Sequence, residues 1–188
     1  MAEDSPEVLE ERIESAEESG DTISLLGIIR ISTQHATDED NDDWAVTTEA
    51  ALDAYYRLTK KAKEQQDGGL TIVFACLEAY HTQEAIVEVA LGCIVSLASD
   101  KQDEPPPPDL PVHLIVSAMK EFPEEGTIQE QACLAVEGLA ANYKEQFLSL
   151  SVQAELKLAL DERITNERNK SYPKRAAAVL GIRLDDDS

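Results

Sequence analysis

The chain has 188 residues, with 38 Asp and Glu against 16 Lys and Arg, a net charge of −22 and an apolar share of 43%. Such a charge opposes contact with nucleic acid or an anionic membrane, whose phosphates call for a positive surface. No apolar run approaches the roughly 18 residues that a membrane span needs.

The N-terminal Met1 to Glu7 has neither the basic flank nor the apolar stretch of a signal peptide, so none is expected. Three cysteines, Cys76, Cys93 and Cys133, lie inside apolar helical patterns without framework spacing. They read as reduced, buried thiols of a cytoplasmic or nuclear protein. The charge is uneven: residues 1–43 carry fourteen acids against Arg12 and Arg30, net −12, and the other 145 residues carry −10. A basic protein partner is one reading of this, and solubility is the other.

In chain order, Ser5 and Pro6 predict a helix start. Leu9, Ile13 and Ala16 form one stripe of that helix, and Gly20 ends it. An acidic helix with one apolar face suits an N-terminal cap over residues 1–21. Leu26 to Ile31 opens a second helix. A helix from Trp44 carries Thr48, Ala51, Leu52, Tyr55 and Tyr56, and Gly68-Gly69 closes it. Ile72–Leu77 and Ile86–Ala98 predict two more. Four prolines, Pro105 to Pro108, read as an extended spacer, with a ligand for an aromatic-lined module as the alternative. Leu114–Met119 is stopped by Pro123. Thr127 with Glu130 predicts a capping box for Ile128–Ala140. Glu155–Leu160 and a segment from Tyr172 complete the set, and Asp185 to Asp187 reads as a frayed acidic tail over 185–188.

These segments repeat. Ile86–Ala98 and Ile128–Ala140 share apolar positions at offsets 0, 4, 5, 7, 8, 11 and 12. Tyr172 begins a third copy with Ala176, Val179 and Leu180, and Trp44 a degenerate first one. Starts at Trp44, Ile86, Ile128 and Tyr172 are spaced 42, 42 and 44 residues apart. Taking Ile31, Leu77, Met119 and Leu160 as equivalent in the alternating helices gives 46, 42 and 41. Apolar residues at three- and four-residue intervals mean helix in both series. Two series with one period mean stacked units covering residues 22–184. Ala90, Ala132 and Ala176 share one register, where small side chains let backbones approach.

The string Ile128 to Asn142 resembles the second-helix pattern of armadillo repeats, and Ile86 to Ala98 is similar to it. The preceding apolar helices look like third helices of such repeats. The likeness covers residues 24–181, close to four repeats. It implies an all-α, right-handed α-solenoid of armadillo or HEAT type, with a groove for a peptide or protein segment. It also implies a short first helix at Tyr143 to Leu148. The Trp and Asn ladder of nuclear-import members is not matched. Trp44 lies in the other series, and no Asn follows the triads at Ile31, Leu77 or Met119, so import-signal binding is not implied.

Residues 38–49 place Asp38, Asp40, Asp42, Trp44 and Glu49 at positions 1, 3, 5, 7 and 12 of a calcium-type loop. Asp43 stands where Gly permits the turn, so a solvated acidic connector is the competing reading. His35 and His81 each lie four residues beyond Ile31 and Leu77. Adjacent Tyr55 and Tyr56 cannot share an orientation, so one is expected in the core and the other at a face, beside Arg57, Lys60, Lys61 and Lys63. The candidate protein-binding residues are Arg30, Gln34, His35, Tyr56, Arg57, Glu78, His81 and Glu121. No zinc spacing, phosphate loop or nucleophile elbow is present, and no cofactor is expected. The expected function is therefore non-enzymatic: a scaffold binding a protein or peptide along a concave helical face. A calcium-responsive adaptor and a structural subunit of a larger complex are the alternatives.

Overall fold

A computed structural model describes residues 5–37, 41–61, 68–98, 107–166 and 171–185. Every regular element among them is helical: α1 (Pro6–Ser19), α2 (Thr22–Gln34), α3 (Asn41–Lys61), α4 (Gly69–Ala79), α5 (Glu84–Ala98), α6 (His113–Glu121), α7 (Gly126–Phe147), α8 (Leu150–Asn166) and α9 (Ser171–Leu180). The contacts divide the chain into two compact units, residues 1–107 and 108–188.

In the first unit α2 packs on α3 and α4 on α5, while α2 also packs on α4 and α3 on α5. Helix α1 covers α2 and α3. Pairs thus stack like upon like, the contact pattern of a helical repeat. The second unit repeats it: α6 packs on α7 and α8 on α9, with α6 against α8 and α7 against α9.

Local chemistry sets the helix ends. Pro6 occupies the first turn of α1, and Gly20, at φ 73°, closes it with its N–H directed at Ala16 and Glu17 carbonyls. That left-handed conformation costs glycine little. Ser5 precedes the helix in extended conformation, but its side chain makes no capping bond. Asp21 caps α2, accepting from the Ser24 amide at 3.1 Å and the Ser24 hydroxyl at 2.6 Å. The capping box expected at Thr127 and Glu130 does not form. Helix α7 begins earlier, at Gly126 after Glu125, which places Thr127 inside the helix. Pro123 does end α6, at Glu121. Helix α7 kinks at Tyr143 (φ −122°, ψ 19°), leaving a short helical turn where the short helix was expected.

Burial tests the repeat register. Thr48, Ala90, Ala132 and Ala176, all at the fourth offset of one helix series, are 0% exposed. Spacings of 42, 42 and 44 therefore hold for that series. Val179 departs from it: counted as apolar core, it is 39% exposed. The other series needs a correction. The buried sets Leu25, Leu26, Ile28, Ile29 and Val73, Phe74, Cys76, Leu77 superimpose at 48 residues, not 46. Ile29, not Ile31, is the equivalent of Leu77, and Ile31 is half-buried on another side of α2. The shift also separates the histidines, since His81 now aligns with Thr33 and His35 with Gln83.

Of the tail expected to fray, residues 186–188 lie outside the described residues, and Asp185 is held. Ile182 and Leu184 are buried, the Asp185 amide donates to Asp161 Oδ1 at 2.9 Å, and Lys157 bridges Asp161 and Asp185 at 2.5 and 3.0 Å.

Candidate interaction surface

A helix of the first unit buries one stripe and must present the other somewhere. Helix α2 buries Leu25, Leu26, Ile28, Ile29 and Ser32. Its opposite side carries Ile23, Gly27, Arg30, Ile31 and Gln34. Ile23 is 66% exposed, and a side chain at Gly27 would meet only open space. Helix α4 presents Thr71, Ala75, Glu78 and Ala79, with Ile72 half-buried beside them.

At a spacing of 48 the two sides correspond position by position: Ile23 with Thr71, Gly27 with Ala75, Arg30 with Glu78, Ile31 with Ala79. Because α2 packs on α4, the two stripes form one surface of small and apolar residues. Its charged members are Arg30 and Glu78, both exposed. The contrast with the rest of the unit is sharp. Helix α1 exposes Glu7, Glu10, Glu11, Glu14 and Glu18, and α3 exposes Asp42, Asp43 and Glu49. An apolar surface in a strongly acidic chain is the informative kind of exposure.

Of the residues singled out from sequence, Arg30, Gln34 and Glu78 come together on this surface. Others have different work. His35, at the end of α2, stacks on Trp44 with ring centroids 4.1 Å apart and planes at 10°. His81 is exposed, its Nδ1 3.1 Å from the Glu78 carbonyl oxygen. Tyr55 is the buried member of the tyrosine pair and Tyr56 the half-buried one. Tyr56 lies over Gly92 of α5, with Lys60 Nζ 5.4 Å from its ring centre. Arg57 donates to Glu17 of α1 at 2.7 and 2.8 Å and also pairs with Asp53. The Glu17 hydrogen bond first, and Asp53 after it, hold its pKa above the ordinary arginine value. Arg57 thus ties the N-terminal helix to α3. Glu121 is exposed in the second unit. The Lys61 side chain and Lys63 lie outside the described residues.

Of the calcium-type loop, only the part from residue 41 onward is described. Asp38 and Asp40 lie outside the described residues, and from Asn41 onward the segment is helix α3. Asp42 and Glu49, seven residues apart on that helix, are separated by about 10 Å of rise, too far to share one ion. Among the described residues no cluster of three or more His, Cys, Asp or Glu could hold a metal.

The cysteine thiols are withdrawn from solvent: Cys76, Cys93 and Cys133 are all buried, and burial pushes the Cys76 thiol up to about 12. An open cleft of about 430 Å³ in the second unit is lined by Asp109, Leu110, Pro111, Val112, His113, Gln146, Ser149 and Val152. Its surface is mainly apolar.

The residues that form the surface were legible in part. Ile23 and Ile31 are apolar positions that fall off the buried stripe once the 48-residue register is used. The fold defines a class, the all-helical repeat stack. No protein-family model, curated protein or solved structure matches the chain.

Proposed function

We propose that this chain is a non-enzymatic protein-interaction module of the armadillo or HEAT kind, which takes a protein segment on the exposed side of α2 and α4. One observation carries the reading: Ile23, 66% exposed, and Ile31 flank small residues on a surface whose surroundings are acidic. Covering an isoleucine is worth about 1.5–3 kcal/mol, and the small residues let a partner backbone come close. The acidic margins steer positively charged partners toward the module and repel nucleic acid and anionic lipid. Its buried free thiols suit a reducing compartment, the cytoplasm or nucleus.

The test is affinity capture from a lysate of the source cell, with wild type and Ile31→Glu as baits, at low and moderate salt. A stoichiometric partner held by wild type at moderate salt and lost by Ile31→Glu supports the reading. Equal capture by both baits refutes this surface as the binding site. A set of basic proteins that all wash off with salt refutes a specific module.

A further inference from the structure

The two charges on this surface are self-complementary. Arg30 and Glu78 are both exposed. Among the described residues neither makes an ion pair, with the other or with a third side chain. They occupy equivalent positions on consecutive helices of one series. The helices run the same way, because the hydroxyl of Tyr80, just past the end of α4, reaches the carbonyl of Ser32, near the end of α2, at 3.0 Å.

We infer that the exposed side of α2 and α4 pairs with the same side of a second copy of this chain. The inference rests on reading this surface as the contact face, and it names the occupant. A two-fold axis in the interface, running along the helices, lays α2 of each copy over α4 of the other. Every residue of α2 then faces its 48-residue equivalent in the second copy. Arg30 meets Glu78 of the second copy, and the symmetry makes the pair twice. Sizes complement in the same arrangement: Ile31 faces Ala79, Ile23 faces Thr71, and Gly27 faces Ala75. The perpendicular two-fold axis in the interface sets α2 on α2 and α4 on α4, which leaves no Glu78 directly opposite Arg30. Charge selects the first arrangement.

The net charge of −22 does not forbid this contact. The surface itself carries one charge of each sign, while exposed acids lie on α1, α3 and α5 and at Asp21, which caps α2. At physiological ionic strength the Debye length is about 8 Å, so charges beyond that distance are largely screened. The face is smaller than the roughly 20–30 residues a side of a standard interface, so the dimer forms reversibly as concentration rises.

Sedimentation equilibrium of the full chain, from about 5 to about 500 µM at ~0.15 M salt, is the measurement. Wild type, Arg30→Glu, Glu78→Arg and the double reversal are compared. Both substitutions sit at exposed helix positions, and circular dichroism checks that each variant folds. The expected result is a monomer–dimer equilibrium in wild type, weakened at least tenfold by either single reversal and restored by the double. A wild type that stays monomeric throughout overturns the inference. So does a dimer indifferent to the reversals, or one that the double reversal fails to restore. A monomeric chain that still loses a captured partner on Ile31→Glu leaves the interaction module standing and removes self-pairing alone.

Discussion

Tyr80 and Ser32 occupy the same position in successive repeats, and the tyrosine hydroxyl donates to the serine carbonyl across the stack at 3.0 Å. Ser32 is 0% and Tyr80 2% exposed. Thr48 of α3 donates to the same hydroxyl at 3.4 Å. One buried side chain therefore ties α4 to both helices of the preceding pair. Tyr80→Phe keeps the ring and removes the hydrogen bonds, which costs about 1 kcal/mol. Tyr80→Ala empties the site and costs about 3–5 kcal/mol. Urea denaturation of both variants checks this, and a Tyr80→Phe protein as stable as wild type would show that the hydroxyl contributes nothing.

Gln129 does related work in the second unit. It is 2% exposed, and its Nε2 donates to the Met119 carbonyl at 2.7 Å and the Phe122 carbonyl at 2.9 Å. It caps the end of α6, where Pro123 halts the helix. Gln129→Leu conserves volume and leaves carbonyls without partners, at a cost of about 1–3 kcal/mol. Gln129→Glu should be worse at neutral pH, because a carboxylate would face two carbonyl oxygens. Burial would hold the new acid neutral in the folded state, raising its pKa. Its excess instability is then expected above the ordinary glutamate value and should fade as pH drops below it. Thermal melts at pH 7 and about pH 3.5, below the ordinary glutamate value of about 4.3, distinguish the two variants, and a Gln129→Glu excess that is equal at both would refute the capping geometry.

Ala132 shows how much small volume matters in the stack. It is 0% exposed, as is Ala176 in the same unit, and Thr48 and Ala90 are equally buried at the same offset in the first unit. Ala132→Leu forces extra methylenes into a packed helix contact, at about 1–3 kcal/mol. An unchanged midpoint in chemical denaturation would mean that the contact at Ala132 is not tightly packed.

The helix starting at Ile86 and its successors could be read from sequence because their apolar positions are also their buried ones. Where apolarity and burial part company, the reading slipped. Ile31 is apolar but only half-buried, and counting it as core displaced the first interval by two residues and falsely aligned His35 with His81. Val179 misled in the same way, since an apolar residue on the surface is ordinary. Gln129 was invisible for the opposite reason. A glutamine near a helix start looks solvated until the chain folds back to place two carbonyls beside it. The interaction surface inherits both problems, for it consists of residues defined by what they do not bury.

The three thiols offer a reading of the core without mutation. Cys76 and Cys93 are 0% exposed and Cys133 2%. Burial pushes the Cys76 thiol from its ordinary 9.0 up to about 12, and burial raises Cys93 as well, with a smaller push from Cys76. At pH 8 the thiolate fraction of Cys76 is on the order of one in ten thousand, and the thiolate is the reactive form. Native protein should therefore ignore an aromatic disulfide reagent, and all three thiols should react once urea unfolds it. The same shift has a consequence for stability. The folded state holds Cys76 and Cys93 neutral while the unfolded chain ionises them, so their contribution is fully present below the ordinary thiol value. It declines as pH rises above that value toward the folded one. Urea midpoints are expected to fall between pH 8.5 and pH 10, and a triple Cys→Ala variant should fall less steeply. A thiol that titrates rapidly in native protein near pH 8 would overturn the buried placement of its helix face.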